Sequence, residues 1–226
     1  MKYSNIHKGK FIDRPNRFVA NVEIKGQLQV CHVKNTGRCK ELLLPGSTVY
    51  LEKSANINRK TAFDLVAVEK GDLLINIDSQ APNKVVLEWL QAGGLYLKST
   101  VIQPEIKHKD SRLDFYMAYE NRKAFIEVKG VTLEENGVAA FPDAPTLRGI
   151  RHIRHLMDIA KEGYEAYLIF IVQFKPVKYV IPNDITHPEF GKILRQATLE
   201  GVHVLAYDCI VTPDSMLLDK EIPVRL

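Results

Sequence analysis

The sequence is poor in cysteine and lacks any long apolar segment. Its three cysteines, Cys31, Cys39 and Cys209, are odd in number, form no C-x-x-C pair and follow no apolar signal segment, a usage typical of the reducing cytoplasm. The longest largely apolar stretch, Ala166 to Phe174, is far shorter than the roughly 20 residues that a membrane-spanning helix requires. These absences argue against a disulfide-stapled secreted domain and against a membrane partner, and they predict a soluble, cytoplasmic protein.

Basic residues are concentrated at the start of the chain. Residues 1–60 carry twelve Lys and Arg against four Asp and Glu, a net charge of +8, whereas the remaining residues carry a net charge of −4. Such a segment favours binding to nucleic acid, because its cations displace the counterions of phosphate groups. The same charges are also compatible with an ordinary solvated surface. The length of 226 residues suits one large domain or two small ones.

The first part of the chain has the pattern of a small antiparallel barrel. Short runs rich in β-branched and apolar residues are separated by Gly, Pro or polar clusters, which predicts strands. The five runs are Phe18–Ile24, Leu28–Val33, Ser47–Glu52, Phe63–Val68 and Leu73–Ile77. Five strands match an OB-fold, a barrel that often binds oligonucleotides, although other small barrels have the same pattern. We therefore predict an OB-like basic domain over residues 1–80.

A different pattern begins at about residue 81 and predicts an α/β domain over residues 81–226. Apolar residues at helical spacing predict helices, β-branched or continuous apolar runs predict strands, and Ala166–Val172 is apolar enough for a strand buried on both faces. The predicted order is αβββαβαβ, with helices at Asn83–Ala92, Leu147–Glu162 and Ile193–Glu200, and strands at Val101–Ile106, Arg112–Tyr119, Ala124–Val128, Ala166–Val172 and Val202–Tyr207. The predicted fold class is therefore mixed α/β.

Two carboxylates and a lysine stand out in the predicted hairpin of this second domain. Glu127 and Lys129 are two residues apart, so they point to the same face of a strand, and pairing with the preceding strand brings Asp114 beside Glu127. Two hard oxygen ligands suit Mg²⁺ or Mn²⁺, and a lysine can orient a water or stabilise charge on a phosphate. The alternative is a cross-strand ion network on a solvated sheet face.

Two further segments offer groups for phosphate binding. The helix that follows Phe141-Pro-Asp-Ala-Pro-Thr-Leu-Arg-Gly carries Arg148 and His152, which would face the substrate phosphates unless that side of the helix is merely solvated. The segment His32-Val-Lys-Asn-Thr-Gly-Arg makes either a phosphate-binding loop or an ordinary polar turn. Its candidate nucleic-acid-binding residues are Lys34, Asn35, Thr36 and Arg38.

Four motifs in this order resemble the signatures of the sugar fermentation stimulation protein A (SfsA) family. They are His32-Val-Lys-Asn-Thr-Gly-Arg, Ser111-Arg-Leu-Asp-Phe, Glu127-Val-Lys-Gly-Val-Thr-Leu and Phe141-Pro-Asp-Ala-Pro-Thr-Leu-Arg-Gly. The resemblance implies an N-terminal OB-fold, a C-terminal nuclease-like domain of the PD-(D/E)xK type, and DNA binding. Matched to that pattern, Asp114 is the first acid, Glu127 the second and Lys129 the lysine, and none of the three is substituted.

The sequence therefore predicts a DNA-binding, Mg²⁺- or Mn²⁺-dependent nuclease. The catalytic residues would be Asp114, Glu127 and Lys129, with Asp114 and Glu127 as the metal ligands, and RNA is an alternative substrate. A second hypothesis is a non-catalytic DNA-binding regulator of sugar (maltose) metabolism genes. A third is a carbohydrate-binding barrel, since OB-folds also bind oligosaccharides, but that reading leaves the acidic pair and the lysine without a role.

Overall fold

A computed structural model describes residues 1–35, 37–96 and 101–226, which contain fifteen strands and three helices. In chain order they are β1 (Ile6–Asn16), β2 (Val19–Ile24), β3 (Gln27–Val33), β4 (Thr48–Lys53), β5 (Phe63–Lys70), β6 (Leu73–Asn76), α1 (Ala81–Gln91), β7 (Val101–His108), β8 (Ser111–Tyr119), β9 (Arg122–Val131), β10 (Leu133–Glu135), β11 (Val138–Phe141), α2 (Leu147–Lys161), β12 (Glu165–Val172), β13 (Tyr179–Pro182), α3 (Pro188–Leu199), β14 (Val202–Thr212) and β15 (Ser215–Glu221).

The first sheet is a closed barrel. Its strand order is β3-β2-β1-β4-β5-β6, and an additional parallel pairing between β3 and β5 closes it into five strands. This is the predicted OB-like barrel, but its strands are not the five that the sequence predicted. The strand β1 was not predicted, and the run at Leu73–Ile77 forms β6, which is hydrogen-bonded to β5 beside the barrel.

The second domain is built on a mixed six-stranded sheet with the order β15-β14-β12-β9-β8-β7. The strands β9, β12 and β14 are parallel to one another, and β7, β8 and β15 are antiparallel to their neighbours. Helix α1 packs on one face, and α2 and α3 pack on the other. The predicted mixed α/β class is confirmed. Four strands were not predicted, namely β15 at the sheet edge and β10, β11 and β13, which form a separate three-stranded sheet.

The buried strand β12 lies at the centre of the second domain. Its residues from Ala166 to Val172 are all buried, and they contribute alternately to the apolar cluster under α1 and to the cluster under α2 and α3. A strand covered on both faces has no polar side to show, which explains its nearly continuous apolar sequence. The neighbouring strand β9 is thereby held in the middle of the sheet.

The described residues contain no helix that is long and apolar enough to cross a membrane. Cys31, Cys39 and Cys209 are all buried and free.

Candidate active site

The hairpin between β8 and β9 places Asp114 where the two strands separate. Backbone pairing runs from Tyr119 and Arg122, beside the turn, to Phe115 and Ile126. Beyond that pair, the backbone N–H of Val128 donates to Asp114 Oδ2 at 2.7 Å. The carboxylate of Asp114 therefore takes a position that a strand carbonyl would occupy in a regular ladder.

A residue of α1 holds the other oxygen of Asp114. Asn83 Nδ2 donates to Asp114 Oδ1 at 2.8 Å. Burial raises the pKa of Asp114 above its ordinary value, and the negative charge of Glu127 raises it further, which outweighs the two hydrogen bonds. The sequence prediction that the hairpin brings these two carboxylates together agrees with this geometry.

Glu127 is the buried centre of the cluster, with 3 % of its surface exposed. Its Oε1 accepts hydrogen bonds from Lys129 Nζ at 2.5 Å and from His152 Nδ1. Burial on its own raises the pKa of a carboxyl group, but the hydrogen bond from His152 and the charge of Lys129 lower the pKa of Glu127 below its ordinary value. Within the described residues, Oε2 of Glu127 is buried and has no hydrogen-bond partner.

Helix α2 supplies His152 to this cluster and Arg148 to its edge. Thr146 caps the helix, because its Oγ1 accepts a hydrogen bond from the backbone N–H of Gly149 at 3.0 Å. Arg148 Nε donates to His152 Nε2 at 3.3 Å, so the imidazole links the guanidinium to Glu127. Arg148 is exposed and His152 is buried. Arg148 thus lies at the surface, whereas His152 is buried and bonded to Glu127. The sequence analysis predicted that both residues face the substrate phosphates, and it did not predict the hydrogen bond from His152 to Glu127.

Lys34 takes part in an ion-pair network at the start of the loop that follows β3, which we call the barrel loop. Its Nζ lies 3.4 Å from Asp64 and 3.3 Å from Asp78, and the side chain is mostly buried. Asp64 also accepts two hydrogen bonds from Arg59. The charge of Lys34 is therefore already compensated within the fold.

Asn35 and Arg38 shape the rest of this loop. Asn35 accepts a hydrogen bond from the backbone N–H of Gly37 at 2.7 Å and donates to the carbonyl of Ile77 at 2.9 Å, the contacts of a polar turn. The backbone N–H of Arg38 donates to Asp143 Oδ2 at 3.0 Å, which ties the loop to the segment before α2. Thr36, also predicted to bind nucleic acid, lies outside the described residues.

An exposed basic surface lies beside the same loop. We call it the basic groove: a cavity of about 290 Å³ whose lining includes Arg14, Arg17, Arg38 and Lys40. The guanidinium of Arg17 lies 4.7 Å from the ring centre of Phe18, a half-exposed aromatic residue. Arg14 is already used, because its guanidinium donates to four loop carbonyls. The other three cations are exposed.

Two polar contacts of the site were missed from the sequence. Asn83 was predicted only as part of a helix, and Asp143 was not among the predicted site residues. The position of Asn83 directly after Pro82, in the first turn of the helix, was the available signal. No signal in the sequence connected Asp143 with the barrel loop, because the two are about a hundred residues apart and meet only through packing.

Comparison with known proteins accounts for nearly the whole chain. Residues 80–215 match the family described as "Sugar fermentation stimulation protein RE domain", and residues 12–77 match "SfsA N-terminal OB domain". The chain belongs to the SfsA family. Two relatives, each called "Sugar fermentation stimulation protein homolog", come from Ruminiclostridium cellulolyticum, 55% identical, and Clostridium beijerinckii, 56% identical. Both alignments cover 100% of this chain and of the relative.

A solved structure of an SfsA protein has the same fold. It is described as Pyrococcus furiosus SfsA in complex with Ca²⁺, and it aligns with a TM-score of 0.91 and 28% sequence identity. The alignment covers 100% of this chain and 98% of that one. The barrel and the mixed sheet of this chain are therefore those of the SfsA family.

Proposed function

We propose that this SfsA-family chain is a metal-dependent nuclease that hydrolyses phosphodiester bonds in DNA at Asp114, Glu127 and Lys129. The observation that carries the proposal is the unpartnered Oε2 of Glu127, buried in a cluster that also contains the carboxylate of Asp114. An ionised oxygen without a partner in a buried position is costly unless a cation approaches it. Two negative groups held together in this way provide a reason for a metal to bind.

The donor set fits Mg²⁺ or Mn²⁺. These ions are commonly held by one or two carboxylates, with waters and substrate oxygens completing the shell. The described part of the chain has no group of three or more His, Cys, Asp and Glu side chains that could hold a metal, in contrast with the three or four protein ligands of a zinc site. The SfsA relative from Pyrococcus furiosus is described as a complex with Ca²⁺, another cation that prefers oxygen ligands.

Each residue of the candidate site has a distinct role in the proposed reaction. A metal bound at Asp114 and Glu127 would polarise the phosphate and lower the pKa of a bound water. Lys129 places its ammonium beside the carboxylates, where it can stabilise negative charge that develops on the phosphate oxygens. His152 holds Glu127 in position through its hydrogen bond. Arg148, exposed at the same edge, can contact an adjacent phosphate.

The basic groove supports DNA as the substrate. Arg17, Arg38 and Lys40 are exposed in a segment whose net charge is +8, as expected for a surface that binds a phosphate backbone. Next to the groove lies the half-exposed ring of Phe18, which is stacked against the guanidinium of Arg17 and could extend this stack to a base. Because the cations of the groove are separate from the carboxylates, they would serve equally well in the second candidate function, a DNA-binding regulator without catalysis.

Cleavage assays with Lys129→Ala test the nuclease proposal. End-labelled single- and double-stranded DNA would be incubated with wild type or variant in Mg²⁺, Mn²⁺ or EDTA. We expect metal-dependent cleavage by the wild type and a loss of at least about 100-fold in the variant, as when one charge-stabilising donor is removed. DNA affinity should stay close to that of the wild type, because the basic groove is intact.

Lys123→Ala is the matched control, since Lys123 is an exposed lysine on the same strand β9. It should cleave like the wild type. If neither wild type nor variant cuts while both bind DNA, the nuclease proposal is wrong and the regulator hypothesis is favoured. Equal cleavage by wild type and Lys129→Ala would remove Lys129 from the proposed site.

A further inference from the structure

A cavity of about 310 Å³ lies between the barrel and the mixed sheet, at the end of β9, the strand that carries Glu127 and Lys129. The barrel contributes the loop at Asn35 and Gly37 to its wall. The sheet contributes Gly130 and Thr132, at the end of β9, and Gln173, directly after β12. Because β9 and β12 are parallel, the cavity lies at the carboxyl ends of neighbouring parallel strands, a usual place for ligands in α/β sheets.

The lining of the cavity suits a neutral, hydrogen-bonding ligand. The hydroxyl oxygens of Ser79 and Thr132 and the side-chain oxygen of Gln173 are combined with the apolar surfaces of Phe141 and Pro142. The hydroxyl of Ser79 and the amide nitrogen of Gln173 already donate within the fold, so these groups are left as acceptors. Among the described residues that line the cavity, Asp143 is the single charged one, and it is negative. A carboxylate repels phosphate, but it accepts hydrogen bonds from amino and hydroxyl groups. The cavity therefore fits a nucleoside better than a phosphate.

The cavity adjoins the basic groove and the elements that carry the proposed catalytic residues. Gly130, in its wall, directly follows Lys129 in the chain. Thr146, also in the wall, caps the helix that carries His152. On the barrel side, Gly37 lines both the cavity and the basic groove. A polynucleotide that follows the groove would thus pass over Gly37 to the cavity and to Lys129.

At Gly37 the barrel loop approaches Asp143 of the second domain closely. A Cβ atom added to Gly37 would lie 2.5 Å from Asp143 Oδ2. A larger residue would displace the carboxylate of Asp143, whose Oδ2 also accepts the backbone N–H of Arg38. The glycine thus leaves room for the contact between the barrel loop and Asp143.

We propose that this cavity binds one unpaired nucleoside of a DNA strand whose neighbouring phosphate lies at the candidate active site. The inference rests on the proposed nuclease function and narrows its substrate to single-stranded DNA or to an unpaired strand end. A base that is stacked and paired in a duplex cannot enter such a cavity until it leaves the stack, which has a free-energy cost. Unpaired strands bind without that cost.

An abasic scan of the wild-type protein tests the proposal directly. A short fluorescein-labelled single strand, a set of copies that each lack one base, and a blunt duplex of the same sequence would be compared by fluorescence anisotropy in Ca²⁺. We expect one position at which loss of the base weakens binding about tenfold, the effect of removing one stacked base. The blunt duplex should bind more weakly than the intact single strand.

Ala144→Trp should remove the dependence of binding on that one base, because Ala144 lines the cavity and a tryptophan side chain would fill it. The variant should bind the intact strand as weakly as the wild type binds the abasic strand, with no further loss at the sensitive position. Ala55→Trp is the matched control, since Ala55 is exposed in the loop between β4 and β5. It should keep the wild-type pattern, and far-UV circular dichroism would establish that both variants are folded.

Equal binding of all the abasic strands by the wild type would overturn the proposal, as would a folded Ala144→Trp variant that keeps the sensitive position. Cleavage of the same strands in Mg²⁺ separates the two proposals. Cleavage without a sensitive position rejects the nucleoside cavity and supports the nuclease. A sensitive position without cleavage in Mg²⁺ or Mn²⁺ supports the cavity and rejects the nuclease.

Discussion

Asp114 and Glu127 share one cluster, yet their pKa values are displaced in opposite directions. Burial disfavours the ionised form of both carboxyl groups and so raises the pKa of each. Glu127 is compensated by His152 and Lys129, which lie against its Oε1, whereas the nearby charge of Glu127 adds to the penalty on Asp114. The ionised form of Asp114 is therefore the one that the fold tolerates least, and it is also the form that a metal would stabilise.

Asp114→Asn should stabilise the protein at neutral pH. A carboxyl group whose pKa is higher in the folded state destabilises the fold above that folded-state pKa, and the penalty vanishes below the unfolded-state pKa, where both states are protonated. Asparagine removes the charge, and Asn83 can rotate its amide to present an acceptor. We expect a gain of about 1 kcal/mol in the free energy of unfolding, measured by urea denaturation, which shrinks as the pH falls towards the ordinary carboxyl pKa.

Glu127→Gln provides the contrast, because the pKa of Glu127 is lowered in the fold. Such a group contributes stability above its unfolded-state pKa and loses it as the pH falls through the folded-state pKa. The Gln variant should therefore be less stable than the wild type at neutral pH. Mg²⁺ should raise the melting temperature of the wild type by binding the folded state and should have little effect on Asp114→Asn. A destabilised Asp114→Asn variant would refute this account of the cluster.

For individual residues, the sequence predicted the contacts within the hairpin but not the contacts between the hairpin and the helices that pack on the sheet. The two-residue strand period and the short turn suffice to bring Asp114, Glu127 and Lys129 together. The hydrogen bond from His152 to Glu127 depends on how α2 lies on the sheet, and that from Asn83 to Asp114 depends on the position of α1. Neither helix position follows from periodicity, because periodicity identifies the buried face of a helix without its partner.

At the scale of elements, four of the five strands that were missed have one of two physical causes. Strand β1 carries several charged residues, Gly9 and Pro15, and only Gly9 and Phe11 are buried along it, so it lacks the apolar alternation of a typical strand. A Cβ atom at Gly9 would lie 2.6 Å from Val22 Cγ1, and the glycine is used for close packing against β2. Strands β10, β11 and β13 have three or four residues each, too few to establish a period.

The N-terminal cap of α2 yields a prediction at this scale. Thr146→Ala removes the oxygen that accepts the backbone N–H of Gly149, and we expect the free energy of unfolding to fall by about 1 kcal/mol. Thr146→Ser, which keeps that oxygen, is the matched control and should lose much less. Chemical denaturation of the two variants would measure the difference. Equal losses would show that the methyl group of Thr146, not the cap, supplies its stabilising effect.

At the scale of the whole molecule, the barrel and the mixed sheet share one core. A single cluster of buried side chains includes Phe11 and Leu65 of the barrel and Leu168 and Phe190 of the second domain. Polar contacts cross the same boundary. The side-chain amide of Gln173, 1 % exposed, donates to the backbone and side-chain oxygens of Asn76 at 3.0 and 3.1 Å and to the carbonyl of Asp78 at 3.1 Å.

A shared core predicts that the two domains unfold together. The sequence contains one tryptophan, and Trp89 lies on α1 of the second domain with its ring 4.9 Å from that of Tyr207. Its fluorescence therefore reports on the second domain alone, whereas far-UV circular dichroism reports on both. In urea, the two signals should follow one transition with the same midpoint, as expected for cooperative unfolding.

Separate transitions would contradict this prediction. A mutation of Gln173 tests whether the apolar core or the side-chain amide couples the two domains. If one domain unfolded alone, the apolar surface that the other domain buries against it would be exposed to water, which is unfavourable. Neither domain should therefore remain folded after the other has unfolded. Gln173→Ala removes the amide that donates to Asn76 and Asp78, and each hydrogen bond lost in this way costs about 0.5–1.5 kcal/mol. If the apolar core provides the coupling, the variant's two signals should still coincide at a lower midpoint; if the amide provides it, they should separate.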